Sequence, residues 1–136
     1  MIFQTKAQTH CLLLMKAIYN YYLMNITEKV NFKTEGYQIV NITKDIQELV
    51  NKHSFEKGLV NLSILHTSAS LTIQENASKD VLSDISTFLS NLAPETANYL
   101  HSVEGPDDMP AHLKTLVTNT NLTLSVTSNK LVLGVW

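Results

Sequence analysis

Cysteine is almost absent from this 136-residue chain, because Cys11 is the single one. No disulfide can form within the chain, so the sequence predicts a protein of a reducing compartment, which we take to be the cytoplasm. An excess of basic charge is also missing: ten lysine and arginine residues face twelve acidic ones, and the formal net charge is −2. Binding to a nucleic-acid backbone requires such an excess, so nucleic acid is not an expected partner.

Long apolar runs are lacking as well. The apolar run at residues 11–15 ends at Lys16, whereas the core of a signal peptide needs about 7–15 apolar residues and a membrane-spanning helix about 20. We therefore expect neither a signal peptide nor a membrane partner. Residues 1–24 are interpreted as an N-terminal extension that is helical or poorly ordered, and residues 25–136 as one domain.

Residues 25–136 combine two kinds of apolar periodicity. Apolar patterning predicts strands at 25–33, 37–42, 59–66, 70–74, 122–126 and 131–136. The first two strands are expected to form a hairpin around Gly36. Helices are predicted at 43–52 with Thr43 as N-cap, at 78–92 with Ser78 as N-cap, and from a start near Pro110.

A first polar motif lies where the strand at 59–66 ends. His66 is followed at once by Thr67 and Ser68, and Glu75 and Asn76 follow the next predicted strand. A neutral imidazole can bind a metal ion or move a proton, so neighbouring strand ends would bring a candidate site together. The alternative is that His66 only satisfies a backbone carbonyl at the strand end.

The second polar motif, residues 101–114, is the most informative stretch of the chain. It holds His101, His112, several carboxylates including Asp108, and Lys114, around a turn at Gly105. Imidazole and carboxylate together suit a divalent cation, and a following helix N-terminus attracts anions. The alternative is a solvated loop in which Asp107 and Asp108 cap the helix. Because ionisable groups converge at functional sites, we expect His66, His101 and His112 to share one site.

At these motifs the sequence resembles the YjbQ-like family, also called the secondary thiamine-phosphate synthase enzyme family. The resemblance covers roughly residues 25–136 and is carried by four segments: residues 66–77 (HTSASLTIQENA), 92–95 (LAPE), 104–112 with Lys114, and 131–136 (LVLGVW). It implies a single-domain α+β fold, with an antiparallel β-sheet or sandwich and a few helices. It also implies a homo-oligomer, usually a homotrimer.

The resemblance further implies a site for a divalent metal, Mg²⁺ or Zn²⁺, and a small phosphorylated ligand. The matching positions are His66, His101 and His112 as metal ligands, with Glu75, Asp108 and Lys114 as catalytic groups and Thr67, Ser68 and Asn76 contacting the bound group. The implied reaction is of the thiamine-phosphate synthase type, which joins a pyrimidine diphosphate to a thiazole phosphate. A metal-dependent phosphohydrolase and a non-catalytic metal- or phosphate-binding trimer are the alternatives.

The chain departs from the family pattern at its C-terminus. Family members usually continue beyond the Leu-Gly-x-Trp motif with a glutamine and at least one more strand, and Val135 replaces their usual threonine. Because the sequence stops at Trp136, we expect the domain to lack the usual C-terminal strand or strands, which would leave an unpaired sheet edge.

Overall fold

A computed structural model describes residues 2–4, 10–20 and 23–135. Strands and helices alternate irregularly along them, which makes the chain an α+β protein. In chain order the elements are β1 (Ile2–Gln4), β2 (His10–Asn20), β3 (Leu23–Lys33), β4 (Gln38–Val40), α1 (Thr43–Lys52), β5 (Lys57–Ile64), β6 (Ala69–Leu71), α2 (Lys79–Leu92), α3 (Asp108–Leu116), β7 (Asn121–Thr127) and β8 (Lys130–Leu131). No helix among these elements is long and apolar enough to cross a membrane.

The strands form two sheets in which every described pair is antiparallel. The larger sheet has the order β3-β2-β5-β7-β8, and the smaller one has the order β4-β1-β6. In β5 the side chains of Val60, Leu62 and Ile64 are buried, while the residues between them are not. This alternation confirms the predicted strand and shows that one face of the larger sheet forms the core.

The N-terminal region corrects the expectation of a helical or poorly ordered extension. Residues 10–20 form β2, which lies between β3 and β5 near the middle of the larger sheet. The side chain of Met15 is 1% exposed. The strand pairs on one edge with β3, which follows it directly in the sequence, and on the other edge with β5, which lies some 40 residues further along the chain and leaves no local signal. The rest of the predicted extension lies partly outside the described residues.

The hairpin expected around Gly36 does not form. Gly36 does turn the chain, with a φ of 61°, but β3 pairs with β2 in the larger sheet and β4 pairs with β1 in the smaller one. The short segment between β3 and β4 therefore crosses from one sheet to the other. This change of sheet explains why two consecutive strands with a short connection are not partners.

The first two helices have the predicted extents, but only α2 has the predicted N-cap. The N-cap residue of α1 is Ile42 and not Thr43, whose backbone N–H donates to Asn41 Oδ1 at 3.0 Å. In α2 the side chain of Ser78 accepts the N–H of Asp80 at 3.2 Å, which confirms the predicted cap. The apolar stripe of α2 is only partly covered: Leu89 is buried, Phe88 and Leu92 are exposed, and the other apolar residues of the stripe, Val81, Leu82 and Ile85, are half-buried.

The C-terminal strands form a hairpin, and β6 of the smaller sheet positions α3. Ser128 and Asn129 have positive φ values of 52° and 60° and form the tight turn between β7 and β8, as two-residue hairpin turns require. The strand predicted at 131–136 is shorter, since β8 ends at Leu131. The strand predicted at 70–74 is β6, which ends earlier, at Leu71. Helix α3 packs against β6, close to the end of β5.

Candidate functional site

Three side chains from the second polar motif meet in one cluster: His101, Asp108 and His112. One ligand atom from each lies within 4.8 Å of the other two. Asp108 Oδ2 is 2.8 Å from Nε2 of His101 and 3.3 Å from Nε2 of His112. The side chain of Asp108 is 3% exposed, while those of His101 and His112 are 45% and 32% exposed. The cluster therefore has a buried carboxylate at its base and two imidazoles open to solvent.

Helix α3 sets the positions of Asp108 and His112. They are four residues apart, so they lie on the same side of the helix. The helix begins at Asp108, two residues before Pro110, which still occupies the first turn where a missing N–H costs no intrahelical bond. Asp107 is the N-cap residue and makes no capping bond with its side chain. The expectation that Asp108 caps the helix is wrong, since its buried carboxylate faces the two histidines.

His101 reaches the cluster from the loop that precedes α3. That loop turns at Gly105, which has a φ of 117°, and a Cβ there would lie 2.9 Å from Asp107 Oδ1. The backbone angle is one that residues other than glycine rarely adopt, whereas the carboxylate of Asp107 is the end of a flexible side chain that could move away. The rings of His101 and His112 are tilted, with centroids 5.7 Å apart. The turn therefore brings a loop histidine against a helix histidine.

The hydrogen bonds of His112 fix which of its nitrogens can bind a cation. Its Nδ1 lies 3.2 Å from the carbonyl oxygen of Thr67, which can only accept, so Nδ1 carries the proton. In the neutral ring, Nε2 then presents a lone pair toward Asp108 Oδ2. Two electron-rich atoms at 3.3 Å repel each other unless a proton or a metal ion lies between or beside them. This arrangement is typical of a metal-binding histidine held by a backbone carbonyl.

Polar groups around the cluster hold its ligands in place. Ser68 is buried, and its hydroxyl donates to Asp108 Oδ1 at 3.4 Å. The single hydroxyl proton of Thr115 has two carbonyl oxygens within reach, that of His112 at 2.7 Å and, at 3.1 Å, the same Thr67 carbonyl that His112 uses. Ser68 and Thr67 were predicted to contact a bound group, and in the structure they contact Asp108 and His112. Thr115 was missed, although its spacing from Asp108 and His112 places it on the same face of α3.

His66, predicted as the third metal-binding histidine, is not a member of the cluster. Its Nδ1 accepts the backbone N–H of Ser68 at 2.9 Å. The proton of a neutral His66 ring therefore sits on Nε2, which leaves no lone pair on that atom for a cation. His66 nevertheless lines the same cleft as His112. The structure thus brings the three predicted imidazoles to one region but gives them two different hydrogen-bonding states.

Lys114 lies on another side of α3 from the cluster. It follows His112 by two residues, or about 200° around the helix, and its side chain is buried. Its ammonium lies 4.2 Å from the centroid of the Tyr37 ring, a residue that sequence reasoning did not single out. Burial lowers the pKa of Lys114, while the carboxylates of Glu95 and Asp107 act in the opposite direction. The predicted position of Lys114 beside the histidines is therefore not observed.

Glu75 and Asn76 also lie outside the cluster. Both follow β6, and Glu75 is half-buried. Asn76 lines a separate cavity of about 160 Å³, whose walls include Leu71, Leu122 and Leu131. That cavity shares no lining residue with the cluster. These two residues were predicted from the expected adjacency of strand ends, but the chain after β6 runs toward this cavity.

The spacing of His112 and Asp108 fits a divalent cation, whereas the contact between His101 and Asp108 has the length of a direct hydrogen bond, which a bound cation would replace. Tetrahedral zinc with nitrogen and oxygen ligands separates those ligand atoms by about 3.3 Å, which matches the His112–Asp108 distance and exceeds the His101–Asp108 distance by half an ångström. Two imidazoles and one carboxylate suit Zn²⁺ better than Mg²⁺, which prefers oxygen ligands throughout. Three protein ligands leave further coordination positions for water or a substrate.

Comparisons with known proteins agree with this fold. The sequence profile described as UPF0047 protein YjbQ-like matches residues 28–136. A UPF0047 protein of Synechocystis sp. is 42% identical over 104 residues, covering 76% of this chain and 71% of the relative. The UPF0047 protein YjbQ of Escherichia coli O157:H7 is 34% identical over 110 residues, covering 81% and 79%. A crystal structure of a YjbQ/UPF0047 family protein from Clostridium acetobutylicum superposes with a TM-score of 0.66, at 31% identity, over 73% of this chain and 74% of that one. The chain belongs to the UPF0047 YjbQ-like family.

Proposed function

We propose that this protein is a metal-dependent enzyme that acts on a small phosphorylated compound at the cluster of His101, Asp108 and His112. The observation that carries the proposal is the pairing of a buried carboxylate with an imidazole whose other nitrogen donates to a backbone carbonyl. This tautomer leaves on Nε2 the lone pair that a metal ligand requires, and a carboxylate oxygen lies 3.3 Å from that nitrogen as a second ligand.

Two features favour a phosphate as the group acted upon. A bound divalent cation would supply positive charge to neutralise phosphate oxygens and polarise the phosphorus–oxygen bond. The first turn of α3 adds N–H groups that lack intrahelical acceptors, and it begins at Asp108 within the cluster. The chain itself positions the ligands of the cation near the start of α3. The carboxylate of Asp108 orients both imidazoles, and the Thr67 carbonyl orients His112.

Within this class, the reaction that we propose for the first test is a thiamine-phosphate synthase-type transfer, in which a pyrimidine carbon bonds to a thiazole nitrogen and diphosphate leaves. The support is the sequence resemblance together with a cation site suited to a diphosphate leaving group. Metal-dependent phosphohydrolysis at the same cluster is the second candidate. Lys114 has no role in either proposal, because it is buried on another side of α3.

The test combines metal analysis of the purified protein with assays of both reactions. We expect about one Zn²⁺ per chain and turnover that is lost in His101→Ala and in His112→Ala. The matched control is His53→Ala, because His53 pairs with Glu28 away from the cluster and should leave both readouts unchanged. Metal binding without turnover in either assay would favour a non-catalytic metal-binding protein. Unchanged metal content in both cluster variants would contradict the site itself.

We also propose that the protein assembles as a homotrimer. The support is a set of exposed large apolar side chains: Leu100 and Val103, which lie on either side of His101 in the sequence, are 105% and 96% exposed, and Phe88 of α2 is 62% exposed. Exposed apolar side chains that form a patch mark surfaces that other protein chains cover. The number of subunits comes from the family resemblance. Light scattering coupled to gel filtration should give three times the mass of one chain, and a monomer would contradict the proposal.

A further inference from the structure

The cavity of about 160 Å³ lies away from the cluster, against the buried face of the larger sheet, and the two share no residue. Its floor reaches the hydrophobic core, because Ile46, Leu62 and Leu71 line it and are at most 3% exposed. Its rim is open, since Leu133 lines it as well and is 52% exposed. Protein interiors contain few voids larger than a water molecule. A space that joins the core to the solvent is therefore a candidate ligand site.

Strand β7 shows that the cavity replaces protein packing. Leu122, Leu124 and Val126 alternate along β7, so they share one face of the sheet. Val126 pairs with Leu131 of β8 and is 1% exposed, whereas Leu122 and Leu124 line the cavity and are only half-buried. The core-facing side of the strand is thus fully covered at one end and open to the cavity at the other. A bound apolar group would complete the packing there.

The rim of the cavity is polar but uncharged. Asn41, Gln74 and Asn76 are exposed there, and their side-chain amides offer both donors and acceptors. Within the described part of the chain, no residue that lines the cavity carries a charge. A carboxylate or an ammonium group would lose hydration in this space without gaining an ion pair, which is unfavourable. The walls therefore select for an uncharged ligand.

We propose that this cavity binds an uncharged small molecule that has one apolar ring and one neutral polar group. The ring lies against the leucines of β6 and β7, and the polar group bonds to the amides at the rim. The size agrees, because an apolar cavity of about 150 Å³ holds one benzene ring. This ligand site is separate from the cation site and does not depend on the proposed reaction.

The test is a titration of the metal-free full-length protein with benzamide, followed by NMR spectra of the backbone amides. Saturable shifts are expected at Leu71, Ile73 and Leu133, which line the cavity. Benzoate has the same ring with a charge, and acetamide has the same amide without a ring. Each should bind at least about tenfold more weakly than benzamide. Benzoate binding as tightly as benzamide, or shifts confined to α3, would overturn the proposal.

Two neighbouring substitutions locate the ligand. Leu133→Trp narrows the cavity from its rim and should lower the affinity for benzamide at least about tenfold, because the ring can no longer be buried. Val132→Trp is the matched control, since Val132 is 55% exposed but does not line the cavity. Wild-type affinity in both variants would overturn the placement of the ligand. Because no zinc is present in this titration, a failure here leaves the cation site standing.

Discussion

Replacing Asp108 by asparagine should abolish stabilisation of the protein by zinc. The substitution keeps the shape of a side chain that is 3% exposed, but it removes the only charge among the three ligands, at the atom that lies 2.8 and 3.3 Å from the two imidazole nitrogens. At a free zinc concentration 100 times the wild-type Kd, binding stabilises the folded protein by about 2.7 kcal/mol. If the variant binds 100-fold more weakly, the same concentration contributes only about 0.4 kcal/mol.

The assay is thermal unfolding with and without zinc. For a domain of this size a stability change of 1 kcal/mol moves Tm by about 3–5 °C, so the wild-type shift should be about 8–13 °C and the Asp108→Asn shift about 1–2 °C. The zinc-induced shift in Tm is compared between the two proteins, and not Tm itself, because Asp108→Asn also changes the stability of the metal-free protein. Asp107→Asn is the matched control, since Asp107 precedes Asp108 but lies outside the cluster. A shift of wild-type size in Asp108→Asn would refute the assignment of the ligands.

Three further predictions concern the fold. Leu62→Ala, in the buried face of β5, should lower the free energy of unfolding by about 2–5 kcal/mol in urea titrations and leave zinc affinity unchanged. Ser78→Ala should cost about 1 kcal/mol through loss of the α2 cap, and an unchanged thermal midpoint would contradict that role. Hydrogen bonds from Lys52 and then His53 lower the pKa of Glu28, so the unfolded chain binds more protons in acid. Wild-type stability should therefore fall as the pH drops through this lowered pKa, and urea midpoints of Glu28→Gln should not show that fall.

Local sequence patterns predicted the elements that are stabilised by residues close together in the sequence. The alternation in β5 follows from a strand with one buried face, and Ser78 caps α2 because its hydroxyl lies within reach of the N–H of Asp80. The strand β2 was missed because its stability comes from β3 and β5 on either side. The pairing of β4 with β1 was missed because the two strands are more than 30 residues apart in the sequence, and pairing over that distance has no local signature.

The sequence predicted the kinds of residue that form the candidate site, but it did not predict where each of them lies. Convergence of His101, Asp108 and His112 followed from a dense polar motif that runs into a helix, and the structure brings these three together. The placement of His66 depends on one backbone N–H, from Ser68, which fixes its tautomer and has no signature in the sequence. The placement of Lys114 could have been predicted, because its two-residue separation from His112 puts it on another side of any α-helix.

The most direct test of the central claim is anomalous diffraction at the zinc edge from crystals of the full chain grown with zinc. The account predicts one strong peak per chain, about 2.0–2.2 Å from Nε2 of His101, Nε2 of His112 and Oδ2 of Asp108. A peak ligated by His66, or no peak between the two histidines of the cluster, would contradict it.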